Sequence, residues 1–243
     1  MTTPPYAELV AFVRSEGEAI VSVSRQDADA VVPTCPDWTI ADLCAHVGSI
    51  YGYVAHVVSE RLMSASEVRP EPTDGADMVA WVEGQLDELV TALSGCDADT
   101  PMWNWSGEPY VAAFWARRAA HETAVHRFDA QRAFGIAQPV DADLAADGLD
   151  EFIDVLLPAV VAHHKFELPT ATYAFESVEH DTWRIRTGEG GAGRAAADSA
   201  ADVTVRGTSS ALLLAICNRV PWTSLQVEGN TELLEDWSRI LTI

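Results

Sequence analysis

The sequence predicts an α+β protein in two parts: a helical bundle, followed by a smaller part that mixes strands and helices. Three observations predict it. Apolar residues recur at helical spacing from Ala7 to Ala133. Runs rich in Val, Thr, Ile and aromatic residues occur only after Pro169. Between them lies Gly135-Ile136-Ala137-Gln138-Pro139, which reads as a linker and places the boundary at residues 137/138.

The first helix is expected from Ala7 to about Asp29, with Leu9, Val10, Phe12, Val13, Ile20, Val21 and Val23 as its apolar stripe. A turn with two prolines follows at 32–39. Thr39 is then a good N-cap, and Asp42 three residues later completes a capping-box-like start. The second helix runs through Leu43, His46, Val47, Ile50, Val54 and Val57 to about Met63. Residues 64–74 are polar with two prolines and form a loop. A third helix spans about Gly75 to Leu93, and 94–108 is a loop carrying Trp103 and Trp105. The fourth spans about Pro109 to Ala133 and stops at Gly135, a natural residue to follow a helix end. Four helices joined by loops make a bundle.

In the second part a helix is expected from about Ala142 to His164. Strands follow at 171–178, 182–186 and 201–206, and Gly188 to Ala200, rich in Gly, Ala and Asp, reads as a mobile hairpin loop. An apolar helix at Ser209–Asn218, capped by Thr208 or Ser209, a short strand at Leu225–Gly229 and a closing helix at Thr231–Leu241 complete the chain.

Composition limits the function. With 48% hydrophobic and 21% charged residues, the balance is that of a globular protein. Fifteen Lys and Arg stand against 37 Asp and Glu, a net charge of −22 that repels nucleic acid and anionic membrane. No apolar run is long enough for a membrane span, and the N-terminus lacks the features of a signal peptide. A cytoplasmic protein is expected. Cys35, Cys44, Cys96 and Cys217 form no CxxC pair and are expected as free thiols.

One stretch carries chemistry. Arg117 to Asp129 has no Gly or Pro, and in it Glu122 and His126 stand four residues apart, about 40° from each other around the helix axis. A carboxylate and an imidazole so placed can grip one metal ion. A bundle metal site draws its ligands from facing helices, and His46, on the apolar side of helix two, is the natural third. Two imidazoles and a carboxylate form a catalytic zinc set with a position left open; iron, nickel or manganese accept the same donors. The plainer alternative is a core histidine beside an Arg118–Glu122–His126 ion-pair ladder. Asp42 and Asp129 are each placed either to steady an imidazole or to serve as a cap or ion-pair partner. Arg118 could hold a substrate carboxylate or pair with Glu122. His121 points about 100° away from Glu122, and His56 lies about 80° off His46. Neither belongs to the set. His163, His164 and His180 read as helix-end and turn residues.

The runs Val32-Pro33-Thr34-Cys35-Pro36-Asp37-Trp38-Thr39-Ile40-Ala41-Asp42-Leu43-Cys44-Ala45-His46-Val47 and Arg117-Arg118-Ala119-Ala120-His121-Glu122-Thr123-Ala124-Val125-His126-Arg127-Phe128-Asp129 closely resemble the mycothiol-dependent maleylpyruvate isomerase family. The resemblance implies a DinB-like metal-binding four-helix bundle at 1–137, with His46, Glu122 and His126 as the metal ligands. A second matching stretch is Ala201-Asp202-Val203-Thr204-Val205-Arg206-Gly207 with Leu212-Leu213-Leu214, Asn218-Arg219 and Val227-Glu228-Gly229-Asn230. It implies a sterol-carrier-protein-like α+β domain at 138–243. The family commonly has Gly-Arg where Asn218-Arg219 stands and Gly-Asp where Gly229-Asn230 stands. Arg219 is thereby a candidate active-site cation beside Arg118.

The implied activity is that of a metal-dependent enzyme using a low-molecular-weight thiol, mycothiol, with zinc as the expected divalent metal. The metal-bound thiolate adds to a small-molecule electrophile, leading to isomerisation or S-transfer. The alternative is a non-catalytic ligand-binding or regulatory protein on the same scaffold. A metal-dependent hydrolase would need a general base beyond the ligands, and none is identifiable.

Overall fold

Helix ends in this chain are set by a few residues whose backbone or side chain closes the exposed turn. The computed structural model describes residues 3–107, 109–164, 168–189, 191–235 and 237. The chain divides into two compact units, Pro4–Gln138 and Pro139–Ile243.

The first unit is four helices: α1 (Tyr6–Ser24), α2 (Ile40–Ser59), α3 (Met78–Ser94) and α4 (Ala112–Ala133). At the start of α2 the Thr39 side chain accepts from the Asp42 backbone N–H, and Asp42 Oδ2 accepts from the Thr39 N–H at 2.8 Å. That is the complete capping box expected from the sequence. Helix α2 stops short of Met63 because Arg61 takes φ +48°, with its N–H donating to the Val58 carbonyl and the Leu62 N–H to Val57. Gly135 closes α4 with the same pair of bonds, to Arg132 and Gln131, at φ +70°. Helix α1 is shorter than expected, ending at Ser24. Past it Asp27 Oδ1 accepts from the Asp29 N–H in a local turn, an alternative to helix that short polar side chains favour.

Helix α2 packs mainly on α3, and α1 on α4. Val13, Ile20, Leu43, Val57, Val82, Leu86, Leu89 and Leu93 are fully buried between them. Closeness is enforced by small residues: a β-carbon on Gly48 would lie 2.3 Å from the Trp81 ring. Alanines at 116, 119, 120 and 124 similarly let neighbours approach α4, which is buried on nearly every side.

In the second unit α5 (Ala142–Glu151) passes through a π-helical segment, Phe152–Leu156, into α6 (Leu157–His164), so the single expected helix contains a widened turn. The sheet has strands β1 (Ala171–Ser177), β2 (Thr182–Gly188), β3 (Gly191–Arg194), β4 (Val203–Gly207) and β5 (Gln226–Gly229), in the order β3-β2-β1-β4-β5. β1 and β4 are parallel, and the other pairs antiparallel. The stretch expected to be loop from Gly188 to Ala200 therefore contains a strand. Its Gly191, Ala192 and Gly193 carry no strand signal, and pairing with β2 supplies the order.

Helix α7 (Ser209–Ile216) is capped by Thr208, whose side chain accepts from the Ala211 N–H. Asn218 closes it at φ +60°, its N–H donating to Ala215 and that of Arg219 to Leu214. This is a left-handed position where Gly is easiest and Asn is tolerated, so Asn-Arg in place of Gly-Arg keeps the geometry. Asn230 caps a short 3-10 turn at Thr231–Leu234, accepting from the Glu232 N–H, a role Asp fills equally. The expected closing helix reaches no further than this turn before passing outside the described residues.

Candidate metal centre and its adjoining pocket

Helix α4 carries polar residues where a bundle helix normally carries apolar ones. His121, Thr123, His126, Arg127 and Asp129 are all buried along it. Buried groups of this kind need partners: Thr123 accepts from the Tyr51 hydroxyl, Arg127 pairs with Glu16, and His126 meets Asp129.

His46 of α2 faces α4 with its ring centroid 5.0 Å from that of His126, and Trp38 packs on it at 4.8 Å. His46, Glu122 and His126 each offer a ligand atom, all within 4.8 Å of one another. Among the described residues this is the one cluster of three such groups able to share an ion. His126 Nδ1 lies 3.0 Å from Asp129 Oδ2, and the Thr34 hydroxyl donates to Asp129 Oδ1 at 2.6 Å. Nδ1–H donation to the buried carboxylate leaves Nε2 as the lone-pair nitrogen, 3.6 Å from Glu122 Oε1. Carboxylates hold metal-binding imidazoles in this way.

Without an ion the surroundings favour the charged forms, and a metal would take the place of the proton on His126 Nε2. Burial alone would raise Glu122, but the Arg118 guanidinium and His126 outweigh it and hold its carboxyl well below the usual range. Burial would lower His126, yet hydrogen bonding to Asp129 and Glu122 raises it. Two imidazoles and one carboxylate, converging at this separation with a carboxylate behind one imidazole, fit a divalent ion such as zinc.

The other sequence expectations resolve individually. Asp129 steadies His126, whereas Asp42 is spent on the Thr39 cap. Arg118 forms an ion pair with Glu122 at the edge of the cluster. His121 is buried elsewhere on α4, and His56 lines a separate groove between α2 and α3. Cys44 is buried, which pushes its thiol up and leaves it a poor nucleophile. The side chains of His163 and His164 lie outside the described residues. His180 links Asp143 and Ser209 within the second unit. Arg219, also in the second unit, is buried and donates to the Cys217 carbonyl at 2.7 Å; its candidacy rests on the resemblance alone.

Sequence reasoning missed the cavity of about 470 Å³ beside Glu122 and Arg118. Tyr53 of α2, Trp115 of α4, Trp103 and Trp105 from the loop before α4, and Arg69 from the loop after α2 line it. One signal was present: three of the eight tryptophans fall between residues 103 and 115.

Residues 10–131 match the model of the mycothiol maleylpyruvate isomerase N-terminal domain, about half of the chain, and 143–236 match that family's C-terminal domain. The chain belongs to the mycothiol maleylpyruvate isomerase family. Its fold is likewise that of a solved member. A crystal structure of the mycothiol-dependent maleylpyruvate isomerase superposes with a TM-score of 0.66 at 14% identity, covering 94% of this chain and 96% of that one. A histidine-to-alanine mutant of that isomerase gives 0.64 at 13%, with the same coverage. No curated protein sequence matches. The stretch that matches the N-terminal domain contains His46, Glu122 and His126, and no helix among the described residues is long and apolar enough to cross a membrane.

Proposed function

We propose that this chain is a metal-dependent enzyme that uses a low-molecular-weight thiol, mycothiol, against a small electrophile, by isomerisation or S-transfer. The observation that carries the reading is the convergence of His46, Glu122 and His126 within 4.8 Å, with Asp129 behind His126. The family's description supplies the thiol, and the donor set points to zinc. Residues 1–137 carry the metal-binding role in this reading, and 138–243 form the accessory α+β domain. A strongly acidic chain with free cysteines suits small-molecule work in the cytoplasm, away from nucleic acid and membrane.

When bound, the ion offers an open position that favours a thiolate over a thiol. His126 is held by Asp129 in the tautomer that presents Nε2, and Glu122 is held ionised by Arg118. Trp38 packs against His46 and limits its rotation. In the isomerisation the sulfur forms a bond to one carbon of an activated double bond, whose π pair moves toward the electron-withdrawing group. Rotation about the resulting single bond precedes return of that pair, which breaks the C–S bond and releases the thiolate. In the transfer the adduct is protonated, or another leaving group departs. Arg118, ion-paired with Glu122 at the edge of the cluster, is carried as the cation a substrate carboxylate would meet there. Arg219 is carried as a second catalytic cation by the resemblance.

Elemental analysis of protein purified without chelator tests the reading. About one divalent ion per chain, lost in His46→Ala, is expected from an open three-residue site. Metal-free wild type that takes up no added zinc would sink the proposal. Thiol-dependent turnover of maleylpyruvate, against conjugation of other electrophiles, then separates isomerase from transferase.

A further inference from the structure

The cavity beside Glu122 is built for a body of particular shape and charge. Its walls are aromatic and fixed. The Trp115 indole N–H donates to the Trp103 carbonyl at 2.7 Å, and the Trp115 ring meets Tyr53 edge-on at 5.9 Å. Trp103 packs at 6.1 Å on the same indole, and the Trp103 backbone N–H donates to the Leu62 carbonyl, which ties the loop to the end of α2. Trp105 packs edge-on to Phe114 and remains 41% exposed, one of the few large apolar side chains left open to solvent. A cavity of about 470 Å³ exceeds what a short-chain diacid fills and lies within the range of ~300–1,000 Å³ that takes larger organic ligands.

The charge is equally specific. Arg69 lies with Cζ 3.8 Å over the Tyr53 ring, and its Nη1 donates to the Ser66 and Val68 carbonyls, both at 3.1 Å. The guanidinium is thus held at the cavity wall, while Nε and Nη2 carry its other three N–H donors. Arg118 is paired with Glu122. The charged lining is therefore two arginines against one glutamate, 2 − 1 = +1, in a chain whose net charge is −22. Such a lining complements one carboxylate better than two.

We propose that the electrophile of this site is a planar conjugated or aromatic acid with a single carboxylate, its ring against the tryptophans and its carboxylate on Arg69. The inference rests on the function proposed above only in calling the ligand the electrophile. The pocket itself is testable without metal.

Isothermal titration of chelator-treated protein with trans-cinnamate, cinnamyl alcohol, maleate and mycothiol makes the test. Cinnamate is expected to bind at least about tenfold tighter than maleate, since stacking and one matched charge favour it. Arg69→Met keeps the bulk and removes the charge. It should weaken cinnamate about five- to tenfold and leave the alcohol unchanged, because only the charged bond is lost. Trp105→Ala should weaken both aromatic probes, and Trp105→Phe should restore most of the affinity. Unchanged circular dichroism checks the fold of each variant. Maleate binding as tightly as cinnamate, an Arg69→Met variant that affects acid and alcohol alike, or no binding by either aromatic probe would overturn the proposal. So would mycothiol displacing cinnamate from metal-free protein and losing affinity in Trp105→Ala, which would make this the thiol's cavity. If zinc fails to bind, the metal reading falls while the titration still reports on the pocket.

Discussion

Two histidines in this protein are each gripped by a carboxylate, with a hydroxyl in the same hydrogen-bonded chain, and they put the grip to different uses. In the first unit Asp129 holds His126 by Nδ1, and Thr34 holds Asp129. Nε2 of that ring is left facing Glu122, with the ring of His46 beside it. In the second unit His180 has Asp143 at 2.8 Å on Nε2 and the buried Ser209 hydroxyl at 2.9 Å on Nδ1, with Ser177 at 2.8 Å beyond it. Both of its nitrogens tie α5, the β1–β2 turn and α7 together. A histidine hydrogen-bonded to an aspartate in a chain with a hydroxyl is therefore no sign of chemistry by itself. What distinguishes the two is whether the second nitrogen meets another ligand or another tie.

The largest expected effect breaks the pair apart directly. His126→Ala should abolish stoichiometric metal binding, while His180→Ala should leave it intact. Removing His180 should instead cost about 0.5–1.5 kcal/mol of stability, because the buried Ser209 hydroxyl loses one of its two partners and keeps Ser177. Elemental analysis and urea unfolding of both variants read the two outcomes. Metal loss in His180→Ala would erase the distinction.

Asp129→Asn sharpens it. An amide accepts from Nδ1–H more weakly than a carboxylate and leaves Nε2 less basic, so metal affinity should fall about 10- to 100-fold. Competition with a chromogenic chelator measures this, and unchanged affinity would reduce Asp129 to a structural partner.

Smaller effects come from the other aspartate that the sequence placed beside a ligand. Thr39→Ala should cost about 1 kcal/mol through loss of the helix cap, with metal affinity unchanged. Hydrogen bonds from the Thr39 hydroxyl and backbone N–H hold the Asp42 carboxyl below its ordinary value of 3.8. Its folded-state pKa is lowered, so its contribution is present above pH 3.8 and is lost as pH falls through the lower folded value. Asp42→Asn should flatten that part of the acid limb in thermal melts, by a small amount because the side chain is exposed.

These two aspartates also show how far the sequence could be read. Spacing placed Asp42 one turn before His46 and Asp129 three residues after His126, and both could steady a ring. Only the folded chain gives Asp129 to His126 through Thr34, ninety-five residues away. Local signals fared better. The Thr39–Asp42 box, the stop at Gly135 and the run from Arg117 to Asp129 depend on neighbours within a turn, and each is found where it was expected. The strand Gly191–Arg194 was missed because partners rather than side chains order it. The aromatic cavity was missed because its lining comes from two loops and two helices far apart in the chain. Arg61 closing α2 was equally invisible, since a left-handed arginine has no composition signal.

X-ray absorption spectroscopy of zinc-loaded protein tests the central claim most directly. The account predicts a first shell of nitrogen and oxygen only, at about 2.0–2.2 Å, with outer-shell scattering from two imidazoles. In His46→Ala the scattering of one imidazole should be missing from any residual signal, whereas His180→Ala should leave the spectrum unchanged. A shell containing protein sulfur, or a wild-type spectrum retained in His46→Ala, would contradict it.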